Sequence, residues 1–273
     1  MQQFLVQIWK LKKALQWLYR SQNDRWLHPP WIFSLYQKAF RERKIREEWA
    51  QFEAYRAILR QSQREIRFLD PSNGLEQVRT IGQQASRTLL SQRGAQFLSV
   101  LADHTSCCGV LELGSSLGIS ALYLAQKNRP VVTIEGAEPI ANEARATFRQ
   151  FPTLDITLLQ GRFDEMLPTA MDILNKIPSQ KPILVWLDGH HQEKATDQYI
   201  ESIVTHFGNR AILVLDDIRW SSGMFHAWEK QVHNPHWKVK IDLHRIGVLL
   251  AETNLSPGTF VLRPPLKHIF SFR

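Results

Sequence analysis

Apolar residues follow two different periods along the chain. Up to about residue 105 they recur at helical spacing, as in the series Phe4, Ile8, Leu11, Leu15 and Leu18. From residue 110 onward they form short continuous runs, which are typical of strands buried on both faces of a parallel sheet. The pattern therefore predicts a helical N-terminal region followed by an α/β domain.

The N-terminal region is predicted to contain successive helices. A second apolar stripe on a charged background predicts a helix over residues 41–67. The turn-forming sequence at residues 70–74, Asp-Pro-Ser-Asn-Gly, marks a boundary, and residues 76–105 are interpreted as two further helices. We therefore assign residues 1–75 to a helical extension and residues 76–273 to the main domain.

Seven apolar runs in the main domain are predicted to be strands. They are residues 110–113, 131–134, 156–159, 182–187, 211–215, 237–243 and 246–251. The first five alternate with helical stretches, which predicts a doubly wound, mostly parallel sheet. The last two are separated by only two residues, which predicts a closing antiparallel hairpin. The expected fold is thus α/β, with a seven-stranded sheet and a helical N-terminal extension.

Positive charge is concentrated at the start of the chain. The formal net charge is +8, and residues 1–67 contain 14 Lys and Arg against 6 Asp and Glu, whereas the other residues contain 20 of each. One hypothesis for residues 1–20 is a weak peripheral contact with a membrane surface. The alternative, which we favour, is a helix that packs on the main domain.

Two features bear on the location of the protein. The sequence contains no run of 18 apolar residues, which argues against a transmembrane helix. The two cysteines, Cys107 and Cys108, are adjacent and give no disulfide framework. We expect a cytoplasmic protein, with the membrane-peripheral alternative just described.

Residues suited to ligand binding follow the predicted strands, at the edge where open α/β sheets bind their ligands. The first strand leads into Glu-Leu-Gly-Ser-Ser-Leu-Gly-Ile-Ser at residues 112–120, where Gly114 and Gly118 allow a tight turn. The second strand ends at Glu135, whose carboxylate could accept hydrogen bonds from both hydroxyls of a ribose. The arrangement indicates a nucleoside-containing ligand.

These segments resemble the motifs of class I S-adenosylmethionine-dependent methyltransferases. The resemblance is carried by residues 110–125, 133–136, 158–164, 187–191 and 215–218. It covers about residues 76–262, and it is closest in style to the catechol O-methyltransferase-like group. The whole pattern is also similar to an uncharacterised bacterial methyltransferase group.

The resemblance implies a Rossmann-like methyltransferase fold with S-adenosylmethionine as the cofactor. The cofactor-binding residues that it implies are Glu112, Gly114, Ser115, Gly118, Glu135, Gly136, Gly161, Phe163, Asp164 and Asp188. In this interpretation Gly114 and Gly118 border the methionine moiety, and Phe163 or Asp164 lies near the adenine.

The same resemblance suggests a magnesium site and a general base. Asp188, Asp216 and Asp217 end two neighbouring strands, and oxygen ligands suit Mg²⁺. Our hypothesis is that Asp188 and Asp216 hold the ion while His191 deprotonates an acceptor hydroxyl, so that Asp188 and His191 are the catalytic residues. Asp217 replaces the amide of the catechol-type enzymes, and the acids could instead serve the cationic sulfonium.

The predicted function is methyl transfer to a small or medium-sized acceptor, through a hydroxyl oxygen. One alternative is a nucleic-acid methyltransferase whose basic N-terminal region binds phosphates. The sequence argues against it, because no Asn/Asp-Pro-Pro-Tyr/Phe segment follows the fourth strand. The other alternative is a non-catalytic scaffold, which would bind the cofactor weakly or not at all. The sequence indicates neither the acceptor nor the oligomeric state.

Overall fold

The computed structural model describes residues 2–42, 46–70, 74–189, 192–252 and 254–265. Its helices are α1 Gln2–Arg20, α2 Pro30–Tyr36, α3 Glu47–Gln61, α4 Ile81–Thr88, α5 Gln92–His104, α6 Ile119–Leu124, α7 Glu138–Arg149, α8 Phe163–Asn175, α9 Glu193–Phe207 and α10 Ser222–His233. Its strands are β1 Glu65–Leu69, β2 Glu76–Thr80, β3 Gly109–Leu113, β4 Val131–Glu135, β5 Ile156–Gln160, β6 Ile183–Leu187, β7 Ala211–Leu215, β8 Val239–Asp242, β9 Gly247–Leu250 and β10 Gly258–Val261.

The described chain divides into two compact units. The central unit contains residues 46–183, and the terminal unit contains residues 2–42 together with residues 184–265. The helices of the N-terminal region are thus shared between the two units. The predicted domain boundary at residue 75 stays a prediction.

Strands β3 to β10 form a mostly parallel sheet of eight strands within the described residues, which confirms the predicted fold class. In the central unit β4 lies between β3 and β5, and all three run parallel. In the terminal unit the order is β6, β7, β9, β8, β10, with β9 antiparallel to both of its neighbours. Every residue of β3, β4, β6 and β7 is buried, as their continuous apolar runs predict.

The sequence did not indicate the eighth strand, β10. This strand has four residues, pairs parallel with β8 at the edge of the sheet, and buries only its last residue. It therefore has no apolar run of the kind that identified the other strands. The count of seven is corrected to eight.

The predicted helix over residues 41–67 is too long at its C-terminal end. Helix α3 ends at Gln61, and Ser62 has an extended backbone with ψ of 125°. Strand β1 follows, and it pairs antiparallel with β2. Buried Ile66 and Phe68 alternate with exposed neighbours, so the period of two in this short segment determines its structure. The prediction of helix at residues 76–80 is wrong for the same reason.

A charge cluster inside the central unit links three of its segments. Asp103, in the last turn of α5, forms ion pairs with Arg46, with Lys127 at 2.8 Å and with Arg129 at 2.6 Å. The Arg129 side chain is only 6% exposed. Burial alone would raise the pKa of Asp103, but the hydrogen bonds from Lys127 and Arg129 and the charge of Arg46 lower it overall.

Replacing Asp103 by Ala should lower the free energy of unfolding by about 3–5 kcal/mol, because the buried Arg129 guanidinium loses its counter-charge. A carboxylate with a lowered pKa stabilises the fold above its unfolded pKa of about 3.9, and this contribution is lost as the pH falls through the folded value. The difference between the two proteins should therefore begin to shrink as the pH falls below about 4, and it should be smallest below the folded pKa of Asp103. Urea unfolding curves measure it, with exposed Asp172→Ala as the control. Equal losses in the two variants would contradict the prediction.

Candidate functional site

The turn after β3 has a backbone that few residue types adopt. Three of its five residues have positive φ, namely Gly114 at 101°, Ser116 at 46° and Gly118 at 85°. Glycine has no Cβ and takes such values without strain, whereas Ser116 does so at a cost. The turn ends at Gly118, which precedes the first residue of α6. The two glycines singled out in the sequence are therefore required by the turn itself.

Hydrogen bonds to β4 and to Glu135 hold this turn in place. The Gly114 N–H donates to the carbonyl of Ile134 at 2.9 Å. The Glu135 carboxylate accepts from the Ser116 N–H and the Ala137 N–H, each at 3.0 Å. The acid predicted to bind a ribose thus also connects the turn after β3 with the turn after β4.

Gly118 is enclosed by protein. A Cβ added there would lie 2.6 Å from Cε1 of Phe148. Because this distance is too short for two carbon atoms, a side chain at Gly118 would disturb the packing against α7. A substitution there would therefore report on folding as well as on any ligand.

Glu112 is fully buried at the end of β3, with one of its two oxygens unpartnered. Its Oε2 accepts from the Thr133 hydroxyl at 2.6 Å, whereas Oε1 has no hydrogen bond within the described residues. The Oγ of Ser115, in the adjoining turn, is also buried without a partner there. Buried polar atoms are nearly always hydrogen-bonded in native proteins, so two such atoms only three residues apart in the sequence indicate a place for a ligand.

Glu112 and Glu135, near the ends of β3 and β4, both have raised pKa values. Burial raises the pKa of Glu112 to about 7, against the opposing effect of side-chain hydrogen bonds with Ser120 and Thr133. Burial likewise raises the pKa of Glu135 to about 7, although the N–H groups of Ala137 and Ser116 lower it. Each group can therefore gain or lose a proton near neutral pH. Perturbed acids in this pattern are common at functional sites.

The end of β5 joins the same edge of the sheet. The Gly161 N–H donates to the carbonyl of Glu135 at 3.0 Å, and Gly161 has φ of 151°. Phe163 is the first residue of α8 and is partly buried. Asp164 is exposed and accepts from two nitrogens of Arg162 at 3.0 and 3.1 Å, which lowers its pKa. A role of Phe163 or Asp164 near an adenine stays a prediction.

The carboxyl edge of the central unit therefore brings together most of the residues implied to bind the cofactor. They are Glu112, Gly114, Ser115, Gly118, Glu135, Gly136 and Gly161. Parallel pairing of β3 with β4 and of β4 with β5 is what aligns these strand ends.

A second group of acids lies in the terminal unit. Asp188 follows β6, Asp216 and Asp217 follow β7, and the Asp216 N–H donates to the carbonyl of Leu187 at 2.9 Å. Burial and the negative charge of Asp216 raise the pKa of Asp188 well above its usual value, while Arg245 opposes them. The sequence correctly placed these three acids at neighbouring strand ends.

Arg245 neutralises this acid group. Its guanidinium donates from Nε to Oδ1 of Asp216 at 2.7 Å and from Nη2 to Oδ2 at 2.5 Å, and its Nε lies 3.2 Å from Oδ1 of Asp217. Burial alone would lower the pKa of Arg245, but its hydrogen bonds to Asp216 and the neighbouring charges raise it overall. The fully buried Asp216 therefore has its counter-charge within the chain.

The residues at this position do not fit a magnesium ion. Both oxygens of Asp216 already accept hydrogen bonds from Arg245, and a cation there would face the guanidinium charge. Within the part of the chain that the structure describes, no group of three or more His, Cys, Asp and Glu side chains could hold a metal ion. Within the described residues Asp216 belongs to an arginine-bound acid cluster, and the metal site predicted at Asp188, Asp216 and Asp217 stays a prediction that these contacts disfavour.

The pairing of Arg245 with Asp216 could not be predicted from the sequence. Arg245 lies 29 residues from Asp216, in the turn between β8 and β9, and no local spacing connects them. Its only signal was an arginine in the two-residue gap of the predicted hairpin. His191, the proposed base, lies outside the described residues.

Replacing Arg245 by Met should lower the free energy of unfolding by about 3–5 kcal/mol near neutral pH, because Asp216 is left buried with an uncompensated charge. Urea unfolding measures it, with exposed Arg25→Met as the control. Adding Asp216→Asn to Arg245→Met should recover part of the loss, because the uncompensated buried charge is then removed as well. A loss in the double variant equal to that of Arg245→Met alone would argue against the assignment.

Comparisons with known proteins agree with this description. Residues 111–218 match the model of a family described as a methyltransferase domain. The SAH-bound methyltransferase PaMTH1 from Podospora anserina is similar over 76% of this chain and 89% of its own, with a TM-score of 0.52 and 12% identity. Cofactor-bound Rv0187 from MTB is similar over 82% of this chain and 98% of its own, with a TM-score of 0.52 and 16% identity. A search of curated proteins gives no match.

The matched segment begins within β3 and ends just after β7. It therefore contains the turn at Gly114, the ribose-binding candidate Glu135 and the acids Asp188 and Asp216. The structural likenesses, at such low identities, show the fold. Residues 111–218 are thus similar to a methyltransferase domain, in agreement with the resemblance that the motifs of this segment carry.

Proposed function

We propose that the protein transfers a methyl group from S-adenosylmethionine to a hydroxyl oxygen of a small or medium-sized acceptor. One observation carries the cofactor assignment, namely the buried and unpartnered oxygens Glu112 Oε1 and Ser115 Oγ beside the glycine turn. An unsatisfied buried polar group costs about 1–3 kcal/mol. The ammonium group of an amino acid moiety suits the glutamate, and its carboxylate suits the serine hydroxyl as a donor.

Glu135 is suited to hold the ribose. A carboxylate has about four acceptor positions. The N–H groups of Ser116 and Ala137 use two of them, and the Gly136 N–H also bonds to the carboxylate, which leaves acceptor capacity for a ribose hydroxyl. Because the same two bonds fix the turn, Glu135 would be oriented before the ligand arrives, and this lowers the cost of binding.

When bound, the cofactor supplies a methyl group on a positively charged sulfur and leaves as a neutral thioether. The contribution of the chain is then mainly to hold two reactants in line, since the methyl donor is already activated. The buried acids of the central unit also provide negative charge, which favours a cationic ligand.

An acceptor hydroxyl must lose its proton as the oxygen gains the methyl group. Among the described residues, we assign proton acceptance to Asp188, whose raised pKa makes it a stronger base than an ordinary aspartate. Arg245 donates to the neighbouring Asp216, and the charge of Asp216 raises the pKa of Asp188 while the charge of Arg245 opposes that rise. His191 stays a second hypothesis for the base. No step is assigned to a metal ion.

The expected location is the cytoplasm. Its support is the adjacent pair Cys107 and Cys108, which offers no disulfide framework of the kind that secreted domains use.

Replacing either Glu112 or Glu135 by Gln should weaken S-adenosylmethionine binding about tenfold to a hundredfold, because each change removes a charge-assisted hydrogen bond worth about 1.5–3 kcal/mol. Isothermal titration calorimetry measures the affinities, and circular dichroism checks that both variants are folded. The matched control is Glu138→Gln, an exposed acid in the first turn of α7. Wild-type affinity for S-adenosylmethionine in both site variants would contradict the proposed cofactor site.

Asp188→Asn should lower kcat by about a hundredfold to ten-thousandfold, the usual range for a general base, with unchanged affinity for S-adenosylmethionine. Release of S-adenosylhomocysteine is measured across phenols, sugars, lipids and RNA, with and without chelator. A fall in cofactor affinity at unchanged kcat would assign Asp188 to cofactor binding instead. Loss of turnover in chelator would restore the metal hypothesis, and RNA as the only acceptor would replace the small-molecule proposal.

A further inference from the structure

Helix α1 packs on the terminal unit through its tryptophans. Trp17 is 5% exposed, and its indole N–H lies 3.4 Å from the carbonyl of Asp242. Trp9 packs edge-on against Phe225 with ring centroids 6.0 Å apart, and the Lys13 ammonium lies 3.9 Å from the same ring. One side of α1 is thus fixed by aromatic and cation–π contacts.

The apolar stripe of α1 faces away from these contacts. The stripe consists of Phe4, Ile8, Leu11, Leu15 and Leu18, whose exposed fractions lie between 40% and 68%. It runs along about 21 Å of the helix at 1.5 Å per residue. A surface helix ordinarily turns its apolar stripe to the core. A contiguous exposed stripe of this kind is typical of an interaction surface.

The polar residues of α1 carry only positive charge. The helix contains four basic residues and no acidic one, and Lys12 and Arg20 are exposed. The surrounding residues 1–67 hold the whole excess charge of the chain. A partner for the stripe should therefore be apolar and negatively charged at the same time. A second copy of α1 meets only the first condition, since it would oppose basic residues with basic residues.

We propose that α1 binds in the interface of an anionic lipid bilayer, with the apolar stripe at the boundary between headgroups and acyl chains. Lys12 and Arg20 would then face lipid phosphates, which is the arrangement of an interfacial amphipathic helix. Within the described residues, no helix is long and apolar enough to cross a membrane. The helix therefore lies in the plane of the surface, and its tryptophan contacts attach the terminal unit to it.

The test uses the full chain and sedimentation with large vesicles. Vesicles of phosphatidylcholine with about 30% phosphatidylserine should bind the protein, and pure phosphatidylcholine vesicles should bind it much less. Raising the salt from about 0.1 M to about 0.5 M should weaken the binding, because it screens the charges. The double variant Lys12→Gln with Arg20→Gln should lose about fivefold in binding per charge.

Leu11→Gln combined with Leu15→Gln should lower vesicle binding at least about tenfold, since two side chains leave the acyl boundary. The matched control is Gln7→Ala with Gln16→Ala, two exposed polar positions of the same helix. Unchanged affinity for S-adenosylmethionine shows that the variants are folded. Absence of vesicle binding, or equal binding to both vesicle types, would overturn the proposal. The proposal would also be overturned if the wild type did not bind vesicles but formed a dimer in analytical ultracentrifugation, and the leucine double variant were a monomer.

Discussion

A carboxyl group buried at the end of a parallel strand must obtain hydrogen-bond donors or a cation, because an isolated buried charge is very costly. The two units meet this constraint differently. In the central unit, Glu135 accepts N–H groups from Ser116 and Ala137 and thereby fixes the turn after β3. In the terminal unit, Asp216 is held by both arms of the Arg245 guanidinium. Glu112 has side-chain hydrogen bonds with Ser120 and Thr133, but its Oε1 has no partner within the described residues and so retains capacity for a ligand.

These two solutions suit different chemistry. Backbone donors are neutral, so they orient Glu135 without cancelling its charge, and burial then brings the pKa values of Glu112 and Glu135 to about 7. Such acids can meet a cationic ligand without a large rearrangement. Arg245, by contrast, is an ionic partner of Asp216, while burial and the nearby Asp216 carboxylate raise the pKa of Asp188. A protein cation thereby stands where the catechol-type resemblance implied a metal ion.

The sequence predicted those features that depend on local pattern. Fully buried strands are recognised in the sequence as continuous apolar runs. Glu112, Glu135 and Asp216 were predicted as site residues because they lie at the carboxyl ends of such strands, where open α/β sheets bind their ligands. Strand β10 and the β1–β2 hairpin were not predicted. The sequence pattern of a short strand that is buried on one face, or that lies at the edge of a sheet, resembles that of a loop or a helix. Arg245 was missed because its partners are distant in sequence. Periodicity revealed the stripe of α1 but not that it points to solvent, since the side that packs is decided by tertiary contacts.

The central claim is that a half-protonated, buried Glu112 binds the cofactor. The most direct test is the number of protons released when S-adenosylmethionine binds at pH 7. It is measured by calorimetry in buffers of different ionisation enthalpy, for the wild type and for Glu112→Gln. A pKa of about 7 means that Glu112 holds about half a proton at this pH and releases it to the buffer when the positively charged ammonium group binds. The variant should release about half a proton less than the wild type on binding the cofactor. Equal release by the two proteins at equal affinity would contradict it.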